Sequence, residues 1–145
     1  MPAWVFGHQM QCWQNGGRKN CKKNQTFKMM EGDLHNLVPA IGELNGDRSN
    51  FKFTEIAGES RNYGACNFEV DFKSRLVEPR EEVKGDVARI YFYMRDTYNV
   101  KISDKQTKML NAWNNIDPVN DWEIKKNELV YSIQGNRNPY ISSVK

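Results

Sequence analysis

The residues whose types and spacing point most directly to chemistry lie between positions 29 and 36 of the chain. In a helix that starts at about Thr26, the side chains of Met29, Asp33 and Asn36 fall on one stripe, so a carboxylate and an amide are presented together. Oxygen ligands on a rigid element suit a hard cation such as Mg²⁺. An asparagine near a helix end is also a common cap or a solvated residue. The spacing alone therefore leaves both interpretations of Asn36 open.

This helix needs an apolar face that packs against a core. A different stripe carries apolar side chains at helical spacing: Phe27, Met30, Leu34 and Leu37. Pro39 has no N–H and pushes Val38 out of the α region, so we expect the helix to end there. The prediction is one continuous helix through Asn36, with His35 turned about 100° away from it.

Positive charge is concentrated near the start of the chain, although the net charge is only +3. No acidic residue precedes position 28, and five basic residues lie in a short stretch: Arg18, Lys19, Lys22, Lys23 and Lys28. Such a cluster is either a solvated face or a surface that binds phosphate groups, and the charge pattern by itself favours neither.

The chain has three cysteines. Cys12 and Cys21 bracket the turn at Asn15–Gly17, and so short a loop can be closed by a disulfide if the compartment is oxidising. A tetrahedral metal site is a weak alternative, because no second cysteine pair completes it. Cys66 is left over.

Length and composition indicate one globular domain over residues 1–145. Charged residues make up 27% of the chain and aromatic residues 12%, which disfavours a disordered protein. No apolar run approaches the ~20 residues of a membrane span. We expect a monomer with no membrane partner.

Two segments alternate as strands do. Phe68, Val70 and Phe72 alternate with polar residues, which predicts a strand with one apolar and one polar face, ended by Pro79. Residues 50–54 alternate like a second, shorter strand.

Helical spacing predicts a helix over about 81–98, and capping patterns at Ser103 and Asn120 predict two more, the last ending at Gly135. Residues 1–11 fit an entry strand or loop, and loops are expected over 12–24, after Pro39 to position 50, and over 58–64. The fold class is α+β, a small sheet with several helices.

Several long segments, in one order, resemble the bacterial endonuclease I family. They read QCWQNGGRKNC at 11–21, DLHNL at 33–37 and NGDRSNF at 45–51. The similarity continues at 63–66, 70–73, 88–89, 111–113 and 134–136, so it spans nearly the whole chain. Long matches in a single order are far more specific than one short motif.

The resemblance implies a periplasmic or secreted nuclease with a His-Me finger (ββα-metal) fold. By position, Asn36 matches the family's metal-binding asparagine, and Arg18 matches the arginine that supports the phosphate. Lys19, Lys22 and Lys23 would add contacts to nucleic acid. The implied reaction is hydrolysis of phosphodiester bonds in DNA, without sequence specificity, with one Mg²⁺ or another divalent cation and with RNA as an alternative substrate.

One part of the family pattern is not among the 145 residues. The pattern is Glu-His, two small apolar residues, then Pro-Ala-Trp, and here Pro2-Ala3-Trp4 is preceded only by Met1. The general-base histidine, its neighbouring glutamate and the first strand of the motif would lie upstream. We therefore expect an N-terminally truncated chain, without a signal peptide, that is inactive as written.

Neither His8 nor His35 is expected to replace the missing base, and we expect structural roles for both. A non-catalytic remnant that binds nucleic acid is the alternative function, and a secreted domain with neither property is the third. The family cysteine that would pair with Cys66 follows a Trp-Glu dipeptide, where this chain has Ile124. Cys66 is therefore expected to be free and buried.

Overall fold

The computed structural model describes residues 1–58 and 62–142. Within these ranges the chain forms eight α-helices, two 3₁₀ turns and three short strands. The helices are α1 Ala3–Gly7, α2 Gln11–Gln14, α3 Gly17–Cys21, α4 Gln25–Gly32, α5 Gly42–Arg48, α6 Lys84–Tyr98, α7 Asp104–Ile116 and α8 Asp121–Gln134. The strands are β1 Lys52–Phe53, β2 Glu69–Asp71 and β3 Leu76–Glu78, and the 3₁₀ turns are Leu34–Asn36 and Glu81–Val83. The α+β prediction is confirmed.

The three strands form one small mixed sheet in the order β1-β3-β2. β1 runs parallel to β3, with Phe53 opposite Val77, and β2 runs antiparallel to β3, with Val70 opposite Val77. The strands predicted at 50–54 and over 68–72 are present as the shorter β1 and β2, but β3 was missed. The predicted division of faces is wrong at both ends of β2, because Glu69 is buried and Phe72 is exposed. Phe72 lies in the turn that leaves the strand.

Helix α6 is the centre of the core and is buried on two sides. On one side Tyr93 and Met94 pack with Phe6, Phe27 and Met30. On the other side it packs with β1, β3 and α7 through Ala88, Tyr91, Phe92, Phe53, Val77, Leu110 and Trp113. Each large apolar side chain buried in this way contributes about 1.5–3 kcal/mol. The predicted helix at 81–98 is confirmed, with a 3₁₀ turn as its first part.

The last two helices begin where the sequence predicts, and α8 also ends there. The side chain of Ser103 accepts a hydrogen bond from the N–H of Gln106 at the start of α7. Asn120 and Glu123 form a reciprocal capping box on α8, and Gly135 ends that helix with φ 82°. Only a residue without a side chain adopts this left-handed conformation readily.

Residues 1–11 are not the expected entry strand or loop, and residues 12–24 are not the expected loop. They form α1, α2 and α3, and a disulfide between Cys12 and Cys21, whose Cα atoms are 4.9 Å apart, joins α2 to α3. The segment wraps closely enough that a Cβ on Gly7 would lie 2.3 Å from the Trp13 ring. Cys21 and Phe6 are buried in the core and hold these short helices in place. The sequence of the segment shows no helical periodicity that would have predicted this.

Two other predictions need correction. The expected loop before position 50 contains α5, so Asn45 and Gly46 are helical. Cys66 is free, as expected, but it is half-buried rather than buried. Residues 59–61 of the predicted 58–64 loop lie outside the described part of the chain. None of the helices in the described ranges is long and apolar enough to cross a membrane.

Candidate functional site

The helix expected through Asn36 is broken at Asp33. Helix α4 ends at Gly32, and Asp33 is extended (φ −66°, ψ 118°) before the 3₁₀ turn Leu34–Asn36. Leu37, predicted to face the core, is exposed. The single-helix prediction and its stripe of Met29, Asp33 and Asn36 are therefore wrong.

The physical reason for the break is the set of hydrogen bonds that the Asp33 carboxylate accepts. Its Oδ2 accepts from the hydroxyls of Tyr93 (2.7 Å) and Tyr98 (2.6 Å), and its Oδ1 accepts from the His35 N–H (2.9 Å) and Gln134 Nε2 (3.0 Å). Burial opposes ionisation, but the hydrogen bonds from these partners lower the pKa of Asp33 below its usual value. Asp33 is thus a structural residue that shapes the turn and leaves Asn36 as the candidate ligand.

Asn36 is held against the first residue of the chain. Its Nδ2 donates to the carbonyl oxygen of Met1 at 2.9 Å, and its Oδ1 accepts from the Met1 amino group. The residue that precedes Pro2 therefore lies directly on the Asn36 amide. An amide oxygen is a ligand that a hard cation accepts alongside several waters, so the chemistry of Asn36 fits a magnesium site.

His35 is packed inside the protein. Its Nε2 lies 3.0 Å from the carbonyl oxygen of Asn136, its ring centroid lies 4.7 Å from that of Tyr93, and burial lowers its pKa. In a 3₁₀ turn successive side chains are about 120° apart, rather than the 100° expected for an α-helix. His8 is exposed and stacks on Trp4 with ring centroids 4.7 Å apart.

Arg18 lies on α3 and is tied to α4. Its Nε donates to Oε1 of Glu31 at 2.7 Å, and Nη2 contacts the same oxygen. The side chain remains 57% exposed. Glu31 lies near the end of α4, the helix that leads into the turn carrying Asn36. The disulfide joins the two ends of the segment from which Arg18 projects, and the predicted phosphate-binding lysines are all exposed there: Lys19, Lys22 and Lys23.

Two cations near Asn36 were missed by sequence analysis. Lys126 Nζ donates to the carbonyl oxygen of Leu37 at 2.7 Å. The Arg48 guanidinium lies 4.5 Å from the Phe53 ring centroid, and its buried Nε has no hydrogen-bond partner among the described residues. Burial, followed by the charges of Arg48 and Lys126, lowers the pKa of the Met1 amino group to about 4. The positive charges of Arg48 and Lys126 are therefore both felt at the Met1 nitrogen, which contacts Asn36.

A second group of oxygen atoms that could hold a metal ion belongs to three glutamates. Carboxylate oxygens of Glu55, Glu78 and Glu81 lie within 4.8 Å of one another. The Lys84 ammonium donates to all three, at 2.8, 2.9 and 2.6 Å. A buried lysine already supplies the positive charge that these carboxylates need, so this cluster is an ion-pair network that anchors the start of α6.

An α+β fold with a candidate amide ligand at Asn36, an exposed arginine on α3 and a basic N-terminal segment is the arrangement expected of a metal-dependent nuclease class. Comparison with known proteins agrees with this. The Endonuclease I family model matches residues 1–144, and the chain belongs to that family.

Characterised relatives are similar over nearly the whole chain. The chain is 50% identical over 141 residues to Endonuclease-1 of Buchnera aphidicola subsp. Acyrthosiphon pisum, covering 97% of this chain and 56% of that protein. It is 50% identical over 142 residues to an extracellular deoxyribonuclease of Aeromonas hydrophila, covering 97% and 62%. An extracellular ribonuclease of Bacillus subtilis is 37% identical over 138 residues, covering 80% and 45%. The chain thus spans about three fifths of the length of the first two relatives.

Proposed function

We propose that this chain carries the metal-binding and phosphate-binding part of a Mg²⁺-dependent endonuclease that cleaves DNA without sequence specificity, with RNA as a second substrate. Its relatives include proteins named deoxyribonuclease and ribonuclease. We further propose a periplasmic or extracellular location. The Cys12–Cys21 disulfide and the relatives named extracellular or periplasmic support this, because disulfides persist in oxidising compartments.

The observation that carries the proposal is the contact between Asn36 and the main chain of Met1. In the family pattern a Glu-His pair stands just upstream of the residue before Pro2. A chain that carries this pair would therefore bring a carboxylate and an imidazole close to the Asn36 amide. This proximity would assemble a metal ligand set and a general base from two segments that lie 35 positions apart.

Each residue then has a defined part in the reaction. A bound Mg²⁺ would polarise the phosphate and stabilise the leaving oxygen. Asn36 would contribute its amide oxygen as a ligand. Arg18 would turn part of its exposed guanidinium, which Glu31 holds on one side only, toward the phosphate oxygens. The histidine of the family pattern would take the proton from the attacking water.

Nicking of supercoiled plasmid in Mg²⁺ tests the proposal. We expect residues 1–145 to give little or no nicking, and the same chain with Glu-His-Val added before Met1 to nick in a Mg²⁺-dependent way. Asn36→Ala should remove that activity, and an Ala-Ala-Val extension is the matched control. Robust cleavage by the unextended chain, abolished by Asn36→Ala, would contradict the assignment of the base to the upstream pair.

Binding without catalysis is the second candidate function, and the exposed cluster of Arg18, Lys19, Lys22 and Lys23 favours it. It predicts DNA affinity that falls steeply with salt, because phosphate contacts release counterions. It also predicts no nicking by either the unextended or the extended chain. Fluorescence anisotropy at several salt concentrations, run beside the nicking assay, separates the two functions.

A further inference from the structure

Helix α8 carries an exposed groove that the nuclease chemistry does not use. Trp122, Lys125, Lys126 and Leu129 follow the i, i+3, i+4, i+7 spacing of one helix face, and Pro39 closes the groove, whose volume is about 320 Å³. Trp122 is 49% exposed and Leu129 is 55% exposed. Small-ligand sites span roughly 300–1,000 Å³, so the groove is large enough for one small planar group.

The groove is continuous with the turn that carries Asn36. Lys126, which lines the groove, donates from Nζ to the carbonyl oxygen of Leu37 at 2.7 Å. Leu37 directly follows Asn36, and Pro39 lies two residues further. The groove therefore lies beside the turn that carries Asn36.

Charge complementarity indicates what could occupy the groove. Its two charged lining residues are the lysines at 125 and 126. Two acidic side chains of α8 are engaged elsewhere: Glu123 is buried against Arg89 at 2.7 Å, and Glu128 is paired with Arg137 at 2.7 Å. Lys126 Nζ also lies 5.5 Å from the Trp122 ring centroid. Lys126 Nζ is already hydrogen-bonded to Leu37, so the charge available to a ligand is that of the exposed Lys125. A flat aromatic surface beside this lysine suits an anionic ligand with a π-face.

We propose that this groove binds a nucleotide of the substrate strand next to the phosphate at the proposed metal site of Asn36. The base stacks on the Trp122 indole against Leu129 and Pro39, and Lys125 contacts the adjoining phosphate. Lys126 is a positioning residue that holds α8 against the Asn36 turn. This inference rests on the proposed nuclease function and extends it to substrate recognition beyond the reacting phosphate.

The test is fluorescence anisotropy of a labelled thymine oligonucleotide with the full chain, in buffer with EDTA so that catalysis plays no part. Stacking on an aromatic side chain is typically worth about 1–3 kcal/mol per base. Trp122→Ala should therefore weaken binding by roughly 5- to 150-fold, and Trp122→Phe should retain most of the affinity. Ile133→Ala is the matched control, because Ile133 lies on the same helix, is 74% exposed and does not line the groove.

Two further measurements identify the contact as stacking. An oligonucleotide of the same length with abasic sites should bind the wild-type chain more weakly than the thymine oligonucleotide, and Trp122→Ala should bind both alike. The salt dependence of Trp122→Ala should match wild type, whereas Lys125→Ala should lower the slope of log affinity against log salt by about 0.7. Circular dichroism checks that each variant is folded.

The outcomes separate this inference from the proposed function. If Arg18→Ala weakens binding while Trp122→Ala behaves like Ile133→Ala, the groove inference is overturned and the nuclease proposal stands. If the wild-type chain does not bind the oligonucleotide at all, the groove inference is overturned, and the nicking assay decides the nuclease proposal separately. If Trp122→Ala instead abolishes self-association in sedimentation while DNA binding is unchanged, the groove is a protein interface and the inference is wrong.

Discussion

Two arginines, Arg89 on α6 and Arg18 on α3, occupy contrasting environments. The Arg89 side chain is 1% exposed, and its Nε and Nη2 donate to the two carboxylate oxygens of Glu123, both at 2.7 Å. Its Nη1 donates to the side chain of Asn114 and the carbonyl of Asp117. Arg18 is 57% exposed and contacts a single carboxylate oxygen of Glu31.

The difference distinguishes a structural cation from one that can serve a substrate. Arg89 has its donors committed to protein acceptors, and its removal would leave the buried Glu123 carboxylate without a cationic partner. Arg18 can offer N–H groups to a phosphate without leaving a buried charge unpaired. The same residue type therefore stabilises the fold in the α6–α8 region and is available for binding in the α3 region.

The largest expected effect is the loss of stability caused by replacing Arg89. Arg89→Met should lower the free energy of unfolding by about 3–5 kcal/mol, because it strands Glu123 in the interior. Urea denaturation followed by circular dichroism measures this. The matched variant Arg18→Met should change stability by less than about 1 kcal/mol, as expected for an exposed ion pair. Equal losses in the two variants would remove the distinction between them.

The α3 region should instead depend on its covalent cross-link. Replacing Cys12 and Cys21 by serine should lower the free energy of unfolding by about 2–3 kcal/mol, because the unfolded chain regains the freedom of the loop. Thermal melts of the double variant, and of wild type with and without reductant, measure this loss. A Cys66→Ser variant is the control, and its melting should not respond differently to reductant from that of wild type.

The α6–α8 region should also respond to pH through Asp86. Burial, together with repulsion from Glu123, raises the pKa of Asp86 to about 7 despite the nearby Arg89. Between the ordinary aspartate pKa of about 3.9 and about 7, the folded state keeps a proton that the unfolded state releases. The free energy of unfolding contributed by this group therefore falls as pH rises through that window.

Asp86→Asn should consequently gain melting temperature over wild type as the pH is raised from 4 to 8, measured by scanning calorimetry. Asp96→Asn is the opposite case. Hydrogen bonds from Arg95 lower the pKa of Asp96, so the contribution of Asp96 to the free energy of unfolding is lost only as pH falls below about 4. A gain for Asp86→Asn that is constant across this range would contradict the assigned pKa.

The variant with the smallest expected effect on stability, Arg18→Ala, should have a clear effect on DNA binding. Arg18→Ala should leave unfolding nearly unchanged but weaken DNA binding and reduce the salt slope by about 0.9, the loss of one phosphate contact on duplex DNA. Anisotropy with a labelled duplex at several salt concentrations measures it. An unchanged slope would show that Arg18 does not contact phosphate.

Features that depend on interactions between near neighbours in the sequence were predicted correctly, whereas features that depend on distant residues were not. The start of α7 and both ends of α8 are determined by neighbours within three or four residues, such as the Asn120–Glu123 capping box, and were predicted correctly. The break at Asp33 is caused by Tyr93, Tyr98 and Gln134, which lie 60 to 101 residues away, so periodicity could not reveal it.

The residues of the candidate site fall into two groups, those that the sequence identified and those that only the folded structure brings together. Arg18 and Asn36 were identified through family resemblance, since their spacing left other roles open. Arg48 lies within the NGDRSN segment that carries that resemblance, but nothing in the segment indicates that it lies near Met1. Lys126 and Trp122 are brought near the Asn36 turn only by the packing of α8, about 90 residues later in the chain.

The central claim, that Asn36 is the metal ligand, is tested most directly by titrating Mn²⁺ into the ¹⁵N-labelled chain that carries the Glu-His-Val extension and following paramagnetic broadening by NMR. We expect the side-chain amide signals of Asn36 to broaden first, and Asn36→Ala to abolish selective broadening at Leu37. Broadening that begins at Glu55, Glu78 and Glu81, with the Asn36 signals unaffected, would contradict the claim.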